Sequence, residues 1–174
     1  MSNNIYSITF WVQNTQFFKN DIITNDNINF YYVSNDYLSS SSFQTDINNG
    51  NLIGYINYNG IQKPYFTWKS SYKYSNESVP RIRKIQLGDG YSQIASDGIN
   101  NILMNITFPF TNIDINEYTA ILHFLTTRKG VESFVFVPPP PFNIQKLFRC
   151  EKWNHSQIFF NNYEISAVFI ETVF

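Results

Sequence analysis

The chain has 174 residues, 43% hydrophobic and only 14% charged, with 12 Lys and Arg against 13 Asp and Glu and a net charge of −1. That length holds one ordinary domain with room for a small added module. The near balance of charge excludes a general nucleic-acid binder, which needs a basic face to release counterions, and a polybasic membrane-surface protein.

No stretch approaches the ~20 apolar residues of a membrane span, so no membrane insertion is expected. Met1, Ser2, Asn3 and Asn4 carry no basic leader, and the expected setting is soluble. Residues 1–57 hold one lysine, no arginine, and many Asn, Ser and aromatic side chains. Phe17-Phe18, Ile22-Ile23 and the run Phe30-Tyr31-Tyr32-Val33 read as short strands parted by Asn- and Asp-rich turns. Residues 39–42, all serine, read as a flexible polar loop. The region is therefore expected to form a small antiparallel β module that leans on the rest of the chain or on a neighbour. Asn59-Gly60 is a turn signal and suggests a boundary after residue 57.

Residues 58–174 hold nearly all the basic side chains. Residues 81–87 read as a strand with a bulge at Lys84. Gly88-Asp89-Gly90 turns the chain, Tyr91 begins the return, and Asp97-Gly98 turns it again. Ile102, Met104, Ile106, Phe108 and Phe110 alternate, as in a strand with one buried face. Asp114 and Glu117 form a capping box for a helix over about 115–129. Ile115, Tyr118, Ile121, Leu122 and Leu125 make its apolar face, and Gly130 ends it. His123 falls off that face and is expected in solvent. Residues 134–137 are apolar on both faces, as in a central strand or one covered by a partner. Residues 138–141 are all proline and read as an extended segment crossing a sheet edge. Residues 147–152 and 165–173 supply two more strands. The fold class is mainly β with one flanking α-helix, plus the small N-terminal module.

No catalytic, metal or cofactor residues are identified. His123 and His155, the latter in an expected turn, have no nucleophile or carboxylate at a meaningful spacing. The Gly-Asp-Gly turn lacks both the calcium-loop ligand rhythm and the Gly-Lys-Ser/Thr of a phosphate loop. Cys150, the sole cysteine, cannot pair within the chain and reads as a structural thiol. A cell-wall hydrolase needs two carboxylates flanking a groove, and no pair is singled out. Arg81, Arg83 and Lys84 form the one basic cluster. It is either a solvated strand face or an intersubunit contact, with Asp89 or Glu132 as carboxylate partner.

From Phe66 onward the chain resembles the minor tail protein M family of lambda-like phages. The pattern is Phe66-Thr67-Trp68, Pro80-Arg81-Ile82-Arg83, Leu87-Gly88-Asp89-Gly90-Tyr91-Ser92-Gln93 and Asp97-Gly98-Ile99-Asn100. It continues with Gly130-Val131-Glu132-Ser133-Phe134, Pro138-Pro139, Phe148-Arg149-Cys150, Trp153 and the close from Ala167 to Phe174. The resemblance implies a tail-tube- or distal-tail-like β-sandwich or barrel with a flanking helix. It also implies a non-enzymatic structural subunit of the virion's tail tip, assembled in the host cytoplasm. Copies would form a ring, six favoured over three, joining the tail tube protein to the other minor tail and tip proteins. Arg81, Arg83, Lys84, Asp89, Phe134, Phe136, Pro139 and Phe174 are the contact candidates. The first region is similar to small chitin-binding-like modules of phage tail proteins. That makes Trp11, Phe30, Tyr31, Tyr32 and Tyr37 candidates for stacking on host glycans, unless they pack the module's own core.

Overall fold

The computed structural model describes residues 6–71, 73–87 and 89–173. Its first region builds a four-stranded sheet from β1 (Ile8–Phe10), β3 (Ile22–Thr24), β4 (Phe30–Val33) and β6 (Leu52–Ile53), in that order. Beside it lie a two-stranded pair, β2 (Gln16–Phe17) with β5 (Tyr37–Leu38), and a short helix, α1 (Phe43–Asn48). The sheet is mixed: β1 runs parallel to β3, where an antiparallel module was expected. α1 follows a stretch expected to be flexible, and that stretch is ordered. The Ser39 hydroxyl donates to the Val12 carbonyl at 2.6 Å and accepts from the Thr15 N–H at 2.9 Å.

Side chains alternate across a strand, and here both faces of the sheet are used. Ile23, Val33 and Leu52 face a small local core with Phe17, Trp11, Phe43 and Tyr31. Ile22 and Tyr32 point the other way, into the main core of the protein. The first region leans on the second through this face, and the Trp68 indole N–H donates to Asn20 Oδ1 at 3.1 Å across the join. The Asn59-Gly60 turn closes a hairpin, β7 (Tyr55–Tyr58) with β8 (Ile61–Pro64). Just before it Gly54 passes close under Tyr31. A Cβ there would stand 2.7 Å from the Phe30 carbonyl and 2.8 Å from the Tyr31 ring, so no larger residue fits without movement.

The second region centres on a five-stranded antiparallel sheet, ordered β13 (Phe134–Phe136), β14 (Lys146–Phe159), β15 (Asn162–Thr172), β12 (Met104–Ile113) and β9 (Ser75–Ser78). On β12 the expected alternation holds: Ile106, Phe108 and Phe110 are buried. Residues 134–137 were read as central or partner-covered. β13 is instead an edge strand covered from within, because Tyr65 bridges to Val135 and the Phe66 N–H donates to the Val135 carbonyl. No bulge occurs at Lys84, since β10 (Ile82–Gln86) pairs with β11 (Ser92–Ser96) in unbroken register. Irregularities fall on β14 and β12. The proline run turns rather than extends, with the Phe142 N–H donating to the Pro139 carbonyl at 3.3 Å. The fold is mainly β, and among the described residues no sheet closes into a barrel.

One long helix, α2 (Ile115–Arg128), flanks the sheet. Asp114 Oδ1 accepts from the Glu117 N–H at 2.8 Å, and Lys129 ends the helix in the left-handed conformation, φ 51°. Replacing Asp114 by alanine is expected to cost about 1 kcal/mol, read as a lowered midpoint in urea unfolding. The buried face of α2 is Ala120, Ile121, His123, Phe124, Leu125 and Arg128, so it is turned from the expected stripe and leaves Ile115 exposed. The turn has a cause. α2 is covered on one flank by the sheet, through Phe124 against Phe66 and Phe134, and on the other by Tyr32 of the first region.

Candidate functional site

The features left without an internal role are on the surface. β10 and β11 make a two-stranded arm in which every residue of both strands is exposed. Its base is fixed by main-chain bonds, Arg81 N–H to the Asn101 carbonyl at 2.8 Å and Asp97 N–H to the Arg81 carbonyl at 3.0 Å. The Arg81 guanidinium adds a bond to the Asn100 carbonyl, and Arg83 pairs with Asp97 at 3.2 Å. At the tip the Leu87 N–H donates to the Tyr91 carbonyl, and Asp89 and Gly90 take positive φ, 61° and 82°. The register puts Ile82, Lys84 and Ile94 on one face, and Arg83, Ile85, Leu87, Tyr91 and Ala95 on the other. Ile82, Ile94 and Tyr91 are 57%, 60% and 73% exposed. A lone ribbon is marginal in water, and this one exposes apolar side chains on both its faces.

The second surface feature is a groove of about 790 Å³ between residues 65–74 and the proline turn. Its apolar lining open to solvent is Tyr65, Tyr74, Val137, Pro139 and Pro140, with Phe66, Trp68 and Phe136 buried beneath it. The Tyr74 hydroxyl donates to the Pro140 carbonyl at 2.7 Å and ties the walls together. Lys69 and Lys73, both exposed, belong to the same lining.

Of the expected contact residues, Arg81, Arg83, Lys84 and Asp89 share the arm. Arg83 is paired with Asp97 rather than with Asp89 or Glu132, because Asp97 lies diagonally across the ribbon on the same face. Glu132 is taken by Arg128, at 3.2 Å. Pro139 lines the groove. Phe134 and Phe136 are buried in the protomer's own core, so their side chains cannot meet a neighbour without unfolding β13. Gly88 and Phe174 lie outside the described residues. Sequence reasoning missed the groove, which joins residues some seventy positions apart. The mixed apolar and charged alternation of 82–94 was the available signal for the arm.

Trp11 and Tyr37 both donate to the buried Asp46 carboxylate, at 2.8 and 3.3 Å. Tyr31 packs edge-on against Phe43 and Tyr55, Phe30 against His123, and Tyr32 is buried.

His123 is buried, where solvent was expected, since the first region covers its side of α2. Its Nδ1 lies 3.0 Å from the Tyr32 hydroxyl, and the rings of Tyr6 and Phe30 flank it. Burial, with Arg128 adding a like charge, pulls the imidazole down to about 4. The unfolded chain takes up that proton near pH 6.5. Between those values the unfolded state binds more protons. Stability is therefore full above about pH 6.5 and falls toward pH 4, by about 3 kcal/mol in all. His123→Gln should flatten this segment of the profile, measured as urea midpoints from pH 7 to 4.5.

His155 lies in β14 rather than in a turn, half across from α2, with Nδ1 2.8 Å from the Tyr118 hydroxyl. Burial pushes the Cys150 thiol up to about 12, as suits a packed, unreactive sulfur. Among the described residues no three His, Cys, Asp or Glu side chains gather to hold a metal. No described helix is long and apolar enough to cross a membrane.

Comparison with known proteins bears on the region that holds arm, groove and sheet. Residues 64–173 match the family model described as phage minor tail protein. The chain is 34% identical over 108 residues to the tail tip protein M of Escherichia phage lambda, covering 62% of this chain and 96% of that protein. It is 38% identical over 90 residues to the tail tip protein M of Escherichia phage N15, covering 49% of this chain and 73% of that protein. With its mainly β fold and a match over more than half its length, the chain belongs to the phage minor tail protein family, as a structural component of the tail.

Proposed function

We propose that copies of this chain close into a ring at the tail tip, six copies rather than three, and that the ring joins the tail tube protein to the distal tip proteins. The observation that carries this is the β10–β11 arm, apolar on both faces and exposed along both of its strands. Repeated head-to-tail contacts terminate only when the rotation closes, and an arm reaching a neighbour is such a contact. Arg81, Lys84 and Asp89 would add polar contacts along it. The function is mechanical and non-catalytic, performed in the virion after assembly in the host cytoplasm. A near-neutral chain also permits a ring lumen that does not hold the DNA passing through it.

Residues 1–57 act in this reading as a module added to the 58–174 tail domain. Glycan stacking by Trp11, Tyr31 and Tyr37 draws little support from their placement, because their polar atoms and ring edges serve the module's own core.

Replacing residues 82–96 with a short Gly-Ser turn tests the proposal. The expected product is a folded monomer that still unfolds cooperatively in urea, no longer forms rings under native mass spectrometry and no longer enters tails. Rings that persist without the arm, or a wild-type chain found only as a monomer outside the tail, would reject it.

A further inference from the structure

We infer that the arm tip of one copy seats in the groove of the next. The inference rests on the ring reading above and names the receptor that reading leaves open. Three observations match the two parts. The tip presents Leu87 and Tyr91, both more than half exposed, and the groove presents the partly exposed Tyr74, Val137, Pro139 and Pro140. Asp89 is the charged residue at the tip, and Lys69 and Lys73 are the charged residues of the groove lining. The tip is a tight turn, closed by the Leu87 to Tyr91 bond and shaped by positive φ at Asp89 and Gly90, so little further ordering is needed to enter a concave site. A turn carrying one carboxylate between two apolar side chains fits an apolar trough with cations at its edge. The groove walls are themselves tied by the Tyr74–Pro140 bond, so the receptor is largely formed in the single chain.

The test uses full-length chains. Tyr91→Cys is made in one tagged copy and Lys69→Cys in a second copy of different mass, and the two are mixed under mild oxidation. Cys150 is buried and does not compete. A disulfide joining the two tags is expected. Asp89→Lys is expected to weaken self-association about tenfold, and adding Lys69→Glu and Lys73→Glu to the same chain should restore it. Rings that form normally in Asp89→Lys, with no disulfide between tags, would overturn the seating while leaving the ring reading intact. Disulfides that form only between copies carrying the same tag would also overturn it. Wild-type chains that never associate would overturn both readings.

Discussion

Replacing Phe66 by alanine is expected to lower the unfolding free energy by about 3–5 kcal/mol, a large part of the stability of a chain this size. Phe66 belongs to no strand, yet its ring meets those of Trp68, Phe110, Phe124, Phe134, Phe136 and Phe169, with centroids 5.0 to 5.9 Å away. It is 1% exposed. Both layers of the second region, sheet and helix, close on this one side chain, and removing it leaves a cavity that aromatic neighbours of fixed shape cannot fill. Chemical unfolding monitored by tryptophan fluorescence measures the loss. Phe160→Ala is the control. Phe160 is 91% exposed at the tip of the β14–β15 hairpin, and its loss is expected to change stability by less than about 0.5 kcal/mol.

Asp46→Ala is the second large effect, about 3–4 kcal/mol and concentrated in the first region. Asp46 is fully buried, yet it is the hub of that region's polar bonds: Trp11 Nε1 at 2.8 Å, the Tyr37 hydroxyl at 3.3 Å and the Ser40 N–H at 3.1 Å. Hydrogen bonds to a charged acceptor contribute about 1.5–3 kcal/mol each, and donors left buried without a partner add a desolvation cost. The sum is not additive, because the freed Trp11 and Tyr37 can tilt toward water. Hydrogen exchange localises the damage: amides of residues 11–53 should lose protection more than those of β14 and β15. Uniform loss across the chain would contradict the local role. Asp46→Asn keeps one acceptor oxygen and is expected to cost roughly half as much.

How much of this was readable in the sequence depended on whether the cause was local. The Asp114 cap, the alternation of Ile106, Phe108 and Phe110, and the turn at Asp89-Gly90 are set by neighbours a few positions away, and each is where the pattern put it. His123 was misplaced because its burial comes from Tyr32, ninety-one positions earlier, and helical spacing carries no trace of a second layer on that flank. The side chains of Phe134 and Phe136 were read as contact surface for the same reason: the cover over β13 is Tyr65 and Phe66, distant in sequence. Residues 39–42 looked mobile by composition alone, whereas the Ser39 hydroxyl holds two main-chain partners. The basic cluster at 81–84 was visible, but its carboxylate partner was settled by strand register, which a sequence does not state.

The helix α2, covered by the sheet on one side and by the first region on the other, keeps no bare apolar stripe for a neighbour. Its buried face is therefore not free to pack against a helix of another copy, as in a bundle. If arm and groove join as proposed, the contact is made by ribbon, turn and trough, parts that fit like tenon and mortise while each copy's interior stays closed. A subunit joined in that way would be finished before it is fitted, and would enter a larger structure without reopening its core.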